Sequence, residues 1–164
     1  MRIIFIDTCT WLKFEDLETN NLFSTSILFS FSSIAITREI QKELKYYSVS
    51  KIDFSQVIIY PISDQRLYKE ALELGLDESD ASLLSNGKID VDELYLISED
   101  GAILAYGEIH RLNVIQLVDL FQILTALGYI DKTKFYQLIR YLRDQQNITK
   151  KKGRDLLNWL KSFR

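Results

Sequence analysis

Short runs of β-branched and aromatic residues recur along this chain, and no other feature constrains its fold as strongly. IIFI (3–6), SIAIT (33–37), VIIYPI (57–62), ELYLIS (93–98) and LNVIQL (112–117) are apolar nearly throughout rather than alternating with polar residues. Each reads as a strand covered on both faces. Stretches with helical spacing lie between them, at roughly 20–31, 37–47, 64–74, 79–87 and 100–110. Strands that alternate with helices in this way specify an α/β protein with a parallel sheet and helices on both faces.

After residue 117 the strand signal stops. Leu117, Leu120, Phe121, Leu124 and Leu127 follow at helical spacing up to Gly128, where a helix should end. A second helix is expected over 131–143, with Asp131 as its N-cap and Phe135, Leu138, Ile139 and Leu142 on one stripe. A third is expected over about 150–163, with Leu156, Leu157, Leu160 and Phe163 on one face. At 164 residues and 47% apolar content the chain suits one domain, with an α/β core at 1–117 and a helical extension at 118–164.

Composition removes several chemistries. A single cysteine, Cys9, and a single histidine, His110, exclude a disulfide, a Cys-rich zinc site and a histidine metal cage, so any metal must be held by oxygen. There is no Gly-rich phosphate loop. The apolar start is interrupted at Asp7, too early for a signal peptide or membrane span, and a cytoplasmic location is expected. Cys9 reads as a small buried hydrophobe and His110 as a surface or packing residue. The net charge is −3, but Lys150, Lys151, Lys152, Arg154, Lys161 and Arg164 face only Asp155 in the last stretch. That basic tail reads either as a solvated helix face or as a contact for RNA or an acidic partner.

In open parallel sheets ligands bind beyond the carboxyl ends of the strands, so polar residues just after strands are the ones to examine. Asp7 follows IIFI directly, and Asp100 follows ELYLIS with one residue between. Glu43 lies on the helix that begins near Thr37, and Asp80 lies in the first turn of the helix after GLDESDA. Several carboxylates around one cleft make a hydrolytic site for Mg²⁺ or Mn²⁺, which take oxygen ligands and keep several waters. Taken singly, each acid also has a structural reading. Asp7 could cap the following helix, Asp77 could be the N-cap that places Asp80 near the helix dipole, and Asp100-Gly101 could be a turn. Glu39, one turn before Glu43, is an alternative at that position.

Four segments together resemble the PIN-domain family, in particular VapC-type toxin ribonucleases. They are IIFIDTCTWL with Asp7 and Thr8, IAITREIQKEL with Glu43, GLDESDASLLS with Asp80, and LISEDGAILAYGEIHRLNVI with Asp100. The segment LFQILTALGYIDKTKFYQLIRYLR also resembles the helical extension of a prokaryotic PIN-like branch. The resemblance implies a PIN-like, Rossmann-like three-layer sandwich with about five strands. It implies a Mg²⁺- or Mn²⁺-dependent endoribonuclease in which Asp7, Asp80 and Asp100 ligate the ion and Glu43 positions the attacking water or a second ion. Thr8 and Ser98 are expected to orient those carboxylates. The partners it implies are RNA, an antitoxin protein and a second copy of the chain, with no membrane.

The chain departs from the family pattern in three places. Ser79 stands where many relatives have Gly, Glu99-Asp100 stands where Asp-Asp is common, and no Gly follows Glu43-Leu44. These departures keep open a PIN-fold binding or scaffold protein without cleavage. A response-regulator receiver also gathers aspartates at strand ends. It needs paired acids near the first strand and a lysine after the fifth, and neither is present.

Overall fold

The structure is a computed structural model that describes residues 1–163; Arg164, the last cation of the basic tail, lies outside them. Five strands form one parallel sheet: β1 (Arg2–Ile6), β2 (Ser33–Thr37), β3 (Ile58–Tyr60), β4 (Glu93–Ile97) and β5 (Val114–Ile115). Six helices accompany the sheet: α1 (Thr8–Thr19), α2 (Ser26–Phe31), α3 (Arg38–Tyr46), α4 (Gln65–Glu73), α5 (Glu78–Ser85) and α6 (Gly101–His110). The extension adds α7 (Leu117–Ala126), α8 (Lys132–Asp144) and α9 (Lys150–Ser162). The α/β class and the parallel five-stranded sheet are therefore as the apolar runs require.

The strand order is β3-β2-β1-β4-β5. The chain first builds outward from β1 to β3, then returns to the other side of β1 with β4. This reversal opens a crevice between β1 and β4 at their carboxyl ends, where open α/β sheets bind ligands. The central position of β1 explains its composition, since Ile3, Ile4, Phe5 and Ile6 are fully buried.

The outer strands depart from the sequence reading. The run at 57–62 yields only the three residues of β3, and Ile58 and Ile59 are 41% and 39% exposed. β3 is an edge strand, and Pro61, which has no N–H to donate, ends it. The run at 112–117 shortens to two paired residues at the opposite edge, because Leu117 already belongs to α7.

The helix expected over 20–31 likewise shortens, to the six residues of α2, and a helix not among the periodic segments, α1, precedes it. α1 ends at Asn20, and Asn21 takes a left-handed φ of 55°, a conformation Asn tolerates better than most residues. α2 begins only at Ser26. The sequence reading passed over α1 as a periodic segment because its buried residues Trp11, Phe14 and Leu17 form a narrow every-third-residue stripe among polar neighbours. That stripe packs on aromatic partners, with Trp11 4.9 Å from Phe54 and Phe14 6.2 Å from Phe121 between ring centroids.

The extension follows its predicted pattern. Asp131 caps α8 by accepting from the Lys134 amide, and Phe135, Leu138, Ile139 and Leu142 are buried. α9 lies against α8 through buried Gly153 and Leu156, with Trp159 edge-on to Phe135. On the other flank α6 approaches β5 so closely that a Cβ at Gly107 would collide with the Val114 side chain. Among the described residues no helix is long and apolar enough to cross a membrane.

Candidate functional site

The crevice between β1 and β4 receives its residues from four elements. Asp7 leaves the end of β1, and its amide donates to Ile97 O of β4 at 3.1 Å, which locks the two strand ends together. Asp7 is only 4% exposed and caps α1, accepting the Thr10 amide at 2.7 Å on Oδ1. Asp100, exposed beyond β4, caps α6 by accepting the amides of Ala102 at 2.7 Å and Ile103 at 3.2 Å, also on Oδ1. The capping reading of Asp7 is thus correct, whereas Asp100, read from sequence as part of a turn, is the N-cap of α6. Capping uses Oδ1 of each residue.

Asp77 is the N-cap of α5 and accepts the amide of Asp80 at 2.9 Å, which places Asp80 at the third helical position. The helix itself is pinned to the end of β2 by a 2.6 Å hydrogen bond between the Thr37 and Ser82 hydroxyls. Asp80 is half-buried, and its carboxyl is pushed up to about 7. Burial is the leading cause, followed by the charges of Asp77, Asp7, Asp100 and Glu43. The fold therefore makes Asp80 an electrostatic neighbour of the three other predicted acids.

Glu43 lies on α3, half-buried, and the Thr8 hydroxyl donates to its carboxylate. Glu39 lies in the first turn of the same helix and acts on Tyr68 of α4, outside this group. Of the two glutamates, Glu43 is the one at the cleft. Ser98, fully buried, accepts the Asp100 amide at 3.1 Å and lies near enough to Asp7 to act against the rise of its carboxyl. One serine thereby lies beside the acids that end β1 and β4. The Asp7 carboxyl is raised by burial, against which Ser98, the bond from Thr10 and the charge of Lys13 act.

One residue at this cleft, Cys9, was misread from the sequence as buried, and another, Lys13, was not singled out. Cys9 is exposed, not buried, because it occupies the first turn of α1 on the side away from the sheet. Burial raises its thiol, and Asp7, Asp80 and Glu43 raise it further, so it stands at the rim of the acids. Lys13, one turn along, lies 3.6 Å from Glu99. The i, i+4 spacing of Cys9 and Lys13 was visible in the sequence, but nothing local tied that face of α1 to the acids.

Glu99 differs from its neighbour Asp100. Its Oε1 accepts the Leu117 amide at 2.7 Å, and its Oε2 faces Lys13. It holds the start of α7 in place and is half-buried, whereas Asp100 faces the cleft. His110 stacks on Tyr106 with 4.1 Å between centroids and bonds Glu70 at 2.9 Å, a packing arrangement apart from the acids.

Among the described residues no three or more His, Cys, Asp and Glu side chains close up into a group able to hold an ion. The carboxylates share one electrostatic neighbourhood without forming a cage. Their chemistry fits a hard divalent cation: the donors are oxygens, two of the four are at helix N-caps and one is in a first turn, and their mutual repulsion is the strain a cation would relieve. Comparison with family models, curated proteins and solved structures finds no match to the chain. The resemblance to PIN proteins accordingly rests on the order and spacing of the acidic segments.

Proposed function

We propose that the chain is a PIN-type endoribonuclease that hydrolyses RNA phosphodiester bonds with Mg²⁺ or Mn²⁺. The observation that carries this reading is Asp80, whose carboxyl is raised to about 7 by burial and by four surrounding carboxylates at the switch point of the sheet. A structural protein has little reason to gather uncompensated carboxylates there, and perturbed acids in a cleft favour a functional site.

Asp7, Asp80 and Asp100 would hold the cation, with Glu43 beside them. When bound, such an ion lowers the pKa of water and offsets charge on the phosphate. The chain's own residues set up that chemistry. Ser98 holds the backbone of Asp100 beside Asp7, and Thr8 donates to the Glu43 carboxylate, which would position the attacking water or a second ion. A toxin role, with an antitoxin and a second copy of the chain as partners, follows from the resemblance alone.

The separation of the carboxylates favours a second reading, a nucleic-acid-binding protein of the same fold without cleavage. One experiment decides between them. A mixed RNA pool is incubated with wild-type protein in Mn²⁺, with wild-type protein in EDTA, and with Asp7→Asn in Mn²⁺. Cleavage in the first alone supports the nuclease. Full cleavage in EDTA refutes it, because no histidine pair is available for metal-free chemistry. RNA binding without cleavage in any arm supports the second reading.

A further inference from the structure

The last three helices carry a surface of opposite character to the acidic cleft. A groove of about 660 Å³ lies between the end of α8 and one face of α9, and its cations are Arg143, Lys150, Arg154 and Lys161. Asp144, paired with Arg143 at 3.2 Å, is its one acid. Lys150, Arg154 and Lys161 fall on a single stripe of α9, while Gly153 and Leu156 on the opposite side face α8. At about 1.5 Å of rise per residue the stripe extends roughly 16 Å. That is the axial rise of about five stacked nucleotides at 3.4 Å each.

The sequence of α9 shows a local cost that a solvated face would not require. Thr149 is its N-cap, so Lys150, Lys151 and Lys152 occupy the first three helical positions. Cations there oppose the helix dipole, which favours anions at the amino end. Only Lys152 is neutralised, by Asp119 of α7 at 2.8 Å; Lys150 and Lys151 have no ion pair among the described residues. Lys150 and Lys151 add their charge to the partial positive charge of the amides at the helix amino terminus, and an anion would satisfy both. Local rules broken without an internal compensation mark functional surfaces.

The amino end of α9 is tied to α7. Lys152 binds Asp119 near the start of α7, and the first residue of α7, Leu117, donates to Glu99, next to Asp100. Residues 149–164 carry a net charge of +5 on a body of −8. A polyanion would be repelled by most of the surface and attracted to this groove.

We propose that the α8–α9 groove binds the phosphate backbone of single-stranded RNA. The choice of RNA rests on the nuclease reading; the choice of a polyanion rests on the groove itself. Affinity of a labelled oligouridine for the full chain is measured in EDTA, where metal-dependent cleavage is absent, for wild type and for the triple variant Lys150→Gln, Arg154→Gln, Lys161→Gln. The variant should bind about tenfold or more weakly at low salt. Its plot of log affinity against log salt should be shallower by about 2, since each lost contact to a single strand removes roughly 0.7 from the slope.

An unchanged affinity and slope overturns the proposal, provided that circular dichroism and the melting temperature show the variant folded. Polyglutamate that competes as well as oligouridine also overturns it, in favour of an acidic protein partner. Asp7→Asn distinguishes this proposal from the nuclease: it should retain oligouridine binding with the wild-type slope. Retained groove binding without Mn²⁺-dependent cleavage by wild type would leave the groove standing and the nuclease reading refuted.

Discussion

Asp80→Asn should stabilise the metal-free protein, and the size of the effect follows from its surroundings. The carboxyl is raised from 3.8 to about 7. At 1.36 kcal/mol per pKa unit the ionised form carries a ceiling cost of about 4 kcal/mol. Asp80 is only half-buried, and solvent screening reduces this to about 1–2 kcal/mol. Asparagine also gives up roughly 0.3–1 kcal/mol of favourable interaction with the amino end of α5. The net gain is about 1 kcal/mol, or about 2–4 °C in melting temperature for a chain of this size. The N-cap of α5 is Asp77, so the substitution leaves the helix start intact.

The sign of the pH dependence is determined. Between 3.8 and about 7 the folded protein binds a proton at Asp80 that the unfolded chain has released, so the penalty grows as pH rises through that window. Above about 7 it is fully present, and below the unfolded value it vanishes. Thermal melts of wild type and Asp80→Asn in EDTA, at pH 8 and near pH 4, read the difference directly. The gap should be largest at pH 8 and close at the acid end. Millimolar Mn²⁺ at pH 8 should raise the wild type more than the variant, because a ligand stabilises the folded state according to its occupancy. A variant that melts lower than wild type at pH 8 in EDTA, or a gap independent of pH, refutes the reasoning.

Asp100→Asn should reduce Mn²⁺-dependent cleavage at least about tenfold more than Glu99→Gln, because Asn preserves the cap of α6 but removes a charge from the cleft. Glu99→Gln should instead lower stability by up to about 1 kcal/mol, read as a lower melting temperature, through the weakened Lys13 and Leu117 contacts; equal losses of cleavage would place Glu99 in the site as well. Thr8→Val should weaken the Mn²⁺ dependence of cleavage by about tenfold through the freed Glu43 carboxylate, and Thr8→Ser should restore it. An unaffected Thr8→Val enzyme would show that Glu43 needs no support from α1.

What the chain determined by itself is what short-range periodicity can encode. The continuous apolar runs announced a parallel sheet, and the caps Asp7, Asp77 and Asp131 were readable because capping involves residues two or three positions apart. Three of the candidate acids, Asp7, Asp80 and Asp100, were readable for a related reason, since each follows a strand or opens a helix. Which runs lie at the edges was decided only by tertiary structure. VIIYPI and SIAIT look equally buried as sequence, but the strand order places β3 outermost, and its side chains are open on the flank where no strand follows.

The choice of Glu43 over Glu39 was also tertiary. The two sit one turn apart on α3, and only the approach of Thr8 from α1 and Asp80 from α5 distinguishes them. The same applies to Cys9, whose exposure depends on which side of α1 meets the sheet, and to Glu99, whose partners are Lys13 and Leu117. Local sequence specifies where a carboxylate enters the chain. The order of the strands, with β4 returning beside β1, decides which carboxylates share a cleft, because that neighbourhood joins residues more than ninety positions apart.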